Sequence, residues 1–126
     1  MNKTVIDTKK APSAIGPYIQ GATIENFVFT SGQLGIDPTT GEYPEGGVVA
    51  QAHQSMKNVE AVLVAGGSDL NKIIKTTIFV KDLGDFAAVN EVYGSYFKEG
   101  FPARSCVEVA RLPKDGLVEI ECIAYK

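Results

Sequence analysis

The chain is poor in the residues on which most enzymes rely. It has one histidine, His53, no tryptophan, and two cysteines, Cys106 and Cys122. Structural zinc sites draw four ligands from Cys, His and carboxylates, so no metal centre is expected. A nucleophile activated by imidazole needs a histidine beside it. His53 shares the polar side of a helical stretch with Lys57 and Glu60, which reads as a solvent-facing position. Glycine is present, but Gly32/Gly35 and Gly66-Gly67 do not have the spacing of a phosphate-cradling loop. No cofactor is expected. No apolar run approaches the ~18 residues of a membrane span, and Met1 to Asp7 lacks the apolar core of a signal peptide. With no secretion signal, the two cysteines read as reduced thiols of a cytoplasmic protein. Positive charge is also scarce: 12 Lys and Arg face 15 Asp and Glu, for a net charge of −3. That balance argues against a nucleic-acid partner, although it leaves room for a small basic patch.

What is present describes an ordinary globular chain of 126 residues, 44% hydrophobic and 21% charged. It reads as one domain over 1–126. Val5-Ile6, Tyr18 to Ile24, Phe27 to Thr30 and the glycine-containing Ser31 to Ile36 read as strands, with a turn at Glu25-Asn26. Val49, Ala52, Met56, Val59 and Leu63 recur at steps of three and four, which predicts a helix over 48–66 stopped by Gly66-Gly67. Ile73 to Val80 is β-branched and apolar, a central strand. Phe86, Val89, Tyr93 and Phe97 mark a second helix over 82–98, with Asp82 as its N-cap. The class is α+β: a mixed β-sheet with two helices on one face. The other sheet face must then stay open, close into a barrel, or pack on other copies.

The last quarter carries the densest signal. Two alternating runs, Ala103 to Val109 and Leu117 to Ala124, flank a Pro/Lys/Asp/Gly turn and read as a closing hairpin. Burying Val107 and Val109 with Val118, Ile120 and Ala124 sets an odd register. On that register Arg104, Cys106, Glu119 and Glu121 share the face away from the helices, and Cys122 lies on the opposite face from Cys106. A disulfide between the two cysteines is then excluded by geometry. Arg104 and Glu119 are either a structural ion pair or a carboxylate clamp beside a carboxylate that handles water. Cys106 beside a guanidinium could have a lowered pKa; with no histidine near, a packed thiol is preferred. Ser31-Gly32 is a bulge or a pair of amides presented to an anion. Tyr18 is a pocket wall or a strand aromatic.

Several stretches together resemble the RidA/YjgF family of reactive intermediate (imine) deaminases: Ala14-Ile15-Gly16-Pro17-Tyr18, Thr30-Ser31-Gly32-Gln33, Lys75 to Leu83, Val89-Asn90, Phe101 to Asp115 and Val118 to Glu121. The Pro102-Ala103-Arg104-Ser105 run is the most specific of them and resembles the deaminase-active subgroup. The resemblance implies a chorismate-mutase-like fold and a homotrimer with active sites between subunits. It implies hydrolysis of 2-imino acids such as 2-iminopropanoate and 2-iminobutanoate, which arise from enamines released by pyridoxal-phosphate-dependent dehydratases, to 2-oxo acids and ammonia. Arg104 would clamp the substrate carboxylate and Glu119 would orient or activate water. Cys106, Ser31 and Gly32 would border the reacting atoms, and Tyr18 and Asn90 would line the cleft. No metal or organic cofactor is implied. Arg104 beside Glu119 would lower the carboxyl's pKa, which favours water orientation over base catalysis. Two other readings stay open: a ribonuclease or translation inhibitor, and a non-catalytic module binding small carboxylates. Cys122 and His53 depart from the family pattern away from these positions.

Overall fold

The computed structural model describes residues 2–126. Seven strands form one sheet: β1 (Thr4–Ile6), β2 (Gly21–Ile24), β3 (Phe27–Thr30), β4 (Gln33–Leu34), β5 (Ile73–Val80), β6 (Ala103–Glu108) and β7 (Val118–Tyr125). Their spatial order is β1-β2-β3-β7-β5-β6, with β4 paired to β7 beyond the end of β3. Two helices, α1 (Gly47–Ala65) and α2 (Phe86–Gly94), cover one face. The expected α+β architecture with a mixed sheet is therefore present. No helix among the described residues is long and apolar enough to cross a membrane.

The core lies between α1 and the middle strands. Met56, Val59, Val62 and Leu63 of α1 pack with Val28, Ile78, Val80, Val118, Ile120 and Ala124, all fully buried or nearly so. At ~1.5–3 kcal/mol per fully buried aliphatic side chain, this layer is the main favourable term in folding. α1 runs one residue earlier than the periodicity placed it. Its expected first stripe residue, Val49, is exposed. The helix buries Gln51, Ser55 and Asn58 instead, because these side chains meet the backbone of the segment around β4 and of Leu117. Ser55 Oγ donates to Gln33 O at 2.6 Å, and Asn58 Nδ2 donates to Leu34 O and Ile36 O, both at 2.9 Å. Gln51 Oε1 accepts from Leu117 N at 2.8 Å. A two-residue strand leaves carbonyls without a ladder partner, and buried carbonyls must be paired. The helix supplies the donors.

Three other expectations shift. Tyr18 to Gln20 precede β2 as loop and are not part of the strand. The second helix is shorter than 82–98. Asp82 caps a 3₁₀ turn, Leu83–Asp85, by accepting from Gly84 N at 2.7 Å, and α2 starts at Phe86. Phe86 is exposed, and Val92 joins Val89 and Tyr93 in the core.

The closing hairpin is not formed. β5 lies between β6 and β7, antiparallel to β7 and parallel to β6. The connection through α2 is a β-helix-β crossover, which joins parallel neighbours. This overturns the register argument. Thr76 is paired with both Arg104 and Cys122, and Ile78 with both Cys106 and Ile120. Arg104 and Cys106 therefore lie on the helix-covered face, while Glu119 and Glu121, level with Phe79 and Thr77, lie on the open face. Cys106 and Cys122 share a face rather than opposing each other. They remain free thiols, because two strand spacings and an offset of two residues along the strands put them roughly 12 Å apart, beyond disulfide reach. β6 is an edge strand and does not follow strict alternation: Val107, expected in the core, is 43% exposed.

Candidate active site

The residues singled out in the sequence fall into two groups on opposite faces of the sheet. The first group surrounds Glu119. β4 pairs Leu34 with Glu119, and the chain just before β4 lays Gly32 against the carboxylate. A Cβ at Gly32 would stand 2.6 Å from Glu119 Oε1, so any larger residue here would push the carboxylate out of this position. Ser31 is fixed beside it: its amide donates to Gln20 O at 2.8 Å and its hydroxyl to Ile19 O. Gln20 is buried, and its carboxamide holds the preceding loop. Oε1 accepts from Thr8 N at 2.7 Å, and Nε2 donates to Thr8 O and Pro12 O, both at 2.9 Å. That loop leads to half-exposed Tyr18, whose Oη accepts from Ile15 N at 3.4 Å. Together these residues line a cleft of about 500 Å³ with Glu119 and Lys114 in its walls.

Glu119 is half-buried. Burial raises its pKa above the ordinary carboxylate value, and the nearby Glu121 charge raises it further. This reverses the expected direction, because the lowering partner, Arg104, is on the other face. Opposite Glu119 the cleft is bounded by the Pro113–Asp115 turn. Lys114 and Asp115 have left-handed backbones, with φ of 54° and 56°, and are held there by two bonds. Lys114 Nζ donates to Gly41 O at 2.8 Å, and Tyr43 Oη donates to Pro113 O at 2.9 Å.

The second group surrounds Arg104 on β6. Its Nη1 donates to Asn90 Oδ1 of α2 at 2.6 Å. Its Cζ lies 5.4 Å from the ring centre of Phe86 and 5.3 Å from that of Tyr93, a cation–π arrangement. The guanidinium borders a hollow of about 300 Å³ with Asn90, Tyr93, Gly94, Phe101 and Pro102. Among the described residues no carboxylate forms an ion pair with Arg104, so the structural ion pair with Glu119 does not exist within the chain. Cys106, two residues on, packs at the edge of the core. Burial raises its thiol pKa, which the Arg104 charge offsets only in part. That is the opposite of an activated nucleophile. His53 is half-buried rather than solvent-facing, and its Nδ1 lies 2.8 Å from Tyr96 Oη.

The structure thus brings Arg104, Asn90 and Cys106 together, and separately Tyr18, Ser31, Gly32 and Glu119. Phe86, Tyr93, Gln20 and Lys114 join these groups without having been singled out for function. The spacing of Phe86, Asn90 and Tyr93, on one helix face at steps of four and three, is a legible signal for Phe86 and Tyr93, which the periodicity alone assigns to core packing.

A family profile described as Endoribonuclease L-PSP matches residues 8–126. The chain belongs to the L-PSP/RidA family. Among other L-PSP/RidA proteins, it is 55% identical over 129 residues to the 2-iminobutanoate/2-iminopropanoate deaminase of Escherichia coli strain K12, covering 100% of this chain and 99% of that one. The crystal structure of E. coli TdcF with bound serine superposes with a TM-score of 0.94 at 52% identity, covering 98% of each chain. That of RidA from an Antarctic Psychrobacter gives 0.94 at 47% identity, covering 98% of this chain and 99% of that one. Likeness at this level covers nearly the whole L-PSP/RidA chain, and the stretch it covers includes both groups of residues.

Proposed function

We propose that this protein is a hydrolytic deaminase that converts small 2-imino acids, 2-iminopropanoate and 2-iminobutanoate among them, to 2-oxo acids and ammonia. The observation that carries the reading is Arg104: a guanidinium held by Asn90 and two rings, with no carboxylate among the described residues paired to it. A planar fork of N–H donors kept open in this way suits a substrate carboxylate. The E. coli relative is named for this reaction, and TdcF was crystallised with serine, a small molecule bearing the same carboxylate. Two free thiols fit a reducing compartment, and the proposed location is the cytoplasm.

The two half-sites face opposite ways, so one chain does not complete a site. We propose a homotrimer in which the Glu119 cleft of one subunit receives the Arg104 hollow of the next. The open sheet face supplies a surface for such packing, since Phe27, Phe29, Ile123 and Tyr125 are all exposed on it. In the joined site Arg104 holds the carboxylate and Glu119 takes a proton from water as its oxygen attacks C2. The imine nitrogen gains a proton from solvent, which gives a 2-amino-2-hydroxy acid. The C–N bond then breaks: the hydroxyl proton returns to solvent as the carbonyl forms, and the proton held by Glu119 passes to departing ammonia. A carboxyl with a raised pKa suits both directions of transfer. Tyr18, Ser31, Gly32, Asn90 and the Cys106 backbone line the site. No step calls on a metal or organic cofactor.

The test is release of ammonia and 2-oxo acid from freshly generated 2-iminopropanoate. Arg104→Ala is expected to lose this activity and remain folded, because a charge-assisted bidentate contact is worth on the order of 2–5 kcal/mol. Arg104→Lys is expected to be impaired, since an ammonium lacks the planar fork. A folded Arg104→Ala protein with undiminished turnover would overturn the reading. RNA cleavage by the same purified protein is the companion assay, because the family's description names a ribonuclease; none is expected.

A further inference from the structure

We propose that Tyr93, fixed by its hydroxyl contact with Thr76, is a positioning residue that sets the plane of the Arg104 guanidinium for the incoming carboxylate. The inference rests on the reading of Arg104 as the substrate's carboxylate clamp.

Thr76 on β5 is directly opposite Arg104 in the sheet, on the same face, and is 1% exposed. Its Oγ1 lies 2.7 Å from Tyr93 Oη, and Tyr93 is itself almost fully buried. A hydroxyl pair at this depth must be satisfied or it destabilises the fold. Valine and phenylalanine would fill the same space without that requirement. The pair sits beneath the one guanidinium that the site uses. Tyr93 packs against Phe97 with ring centres 4.8 Å apart. Its hydroxyl is anchored to the sheet and its ring is presented to Arg104 at 5.3 Å. Phe86 bounds the cation at 5.4 Å, and Asn90 occupies Nη1 at 2.6 Å. The side chain is then restrained in translation by Asn90 and in tilt by the rings. The remaining N–H groups keep one orientation. A bidentate contact depends on that orientation, and a clamp held ready loses less freedom on binding.

A hydroxyl pair that merely stabilised the core would leave ligand affinity unchanged, and this separates the two roles. Tyr93→Phe keeps the ring and removes the anchor; Thr76→Val removes the anchor from the other side at nearly equal volume. Each is expected to weaken binding of 2-oxobutanoate, measured by calorimetry, and to raise KM for 2-iminobutanoate by about fivefold, the equivalent of one ordinary hydrogen bond. kcat should stay within about twofold, because the clamp acts on binding. The double variant should be no weaker than either single one, since both remove the same contact. Thr76→Ser keeps the hydroxyl and should bind 2-oxobutanoate as the unaltered protein does.

Circular dichroism and melting accompany every variant. If Arg104→Ala abolishes hydrolysis while folded Tyr93→Phe and Thr76→Val retain unaltered KM and affinity, the proposal is wrong and the clamp reading stands. Loss of affinity in Thr76→Ser equal to that in Thr76→Val would also overturn it, because packing rather than the hydroxyl would then be responsible. If Arg104→Ala retains full turnover, the reading of the site itself falls.

Discussion

Glu119 derives its properties from two neighbours and from its burial. Gly32 admits the carboxylate to within contact of the backbone, burial disfavours its charge, and Glu121 two residues on adds like-charge repulsion. Both electrical effects push the pKa up from 4.5, which has consequences for stability as well as catalysis. Below pH 4.5 the carboxyl is protonated in the folded and unfolded chain alike, and the shift contributes nothing. As pH rises through 4.5 the unfolded chain ionises first, and the folded state loses stability until the raised value is passed. Ionised Glu119 is therefore a burden on the fold at neutral pH. Glu119→Gln is expected to melt higher than the unaltered protein at pH 7, with the gain shrinking to nothing in melts below pH 4.5, while hydrolysis is lost. In the unaltered enzyme, activity should fall on the acid side with a midpoint above the ordinary carboxyl value, because the base must be ionised to take a proton from water.

At the scale of elements, α1 does more than cover the sheet. Gln51, Ser55 and Asn58 replace apolar residues along its inner face; Gln51 holds the backbone of Leu117, and Ser55 and Asn58 hold that from Gln33 to Ile36. That segment carries Gly32 at its start, so the helix indirectly fixes the floor of the Glu119 cleft. Asn58→Ala leaves two carbonyls without their donor, at a cost on the order of 1–3 kcal/mol for each that stays buried and unpaired. The expected result is a melting temperature lower by roughly 5–15 °C, with turnover reduced in the folded fraction. A melting temperature unchanged within error would show that solvent or a shifted Gln54 replaces the lost donor. The other element that positions a candidate site residue is β6. As the edge strand beyond β5, it aims Arg104 at α2. As a hairpin partner of β7 it would have aimed Arg104 at Glu119.

For the whole molecule, the question is what covers the open sheet face. Phe27, Phe29, Ile123 and Tyr125 are 38–45% exposed there. A clustered aromatic and aliphatic face of this kind marks an interaction surface. A closed cyclic assembly would cover it in every copy, burying on the order of 2,000 Å² or more at an obligate interface. Light scattering at low micromolar concentration is expected to give three times 13.5 kDa. Ile123→Glu places a charge in the middle of the face, paired in the sheet with Phe29 and Lys75. It should yield folded monomers without deaminase activity. A monomeric Ile123→Glu protein with full turnover would show that each site is complete in one chain.

Some of this was determined by sequence alone. β5 was legible from Ile73 to Val80 without error, because a β-branched run has few alternatives to a central strand. The turn at Glu25-Asn26 and the two helices were legible from period and punctuation; Arg104 and Glu119 stand out in the sequence by their chemistry and by the family pattern, as candidates. The polar stripe of α1 was not legible, because nothing local announces that Asn58 will meet the carbonyls of Leu34 and Ile36. The relation between Arg104 and Glu119 was decided by tertiary structure. Alternation says which residues of one strand share a face, but the faces of two strands coincide only through the strands that pair them. Inserting β5 between β6 and β7, with α2 as the crossover, put the cation under a helix and the carboxylate on the open side.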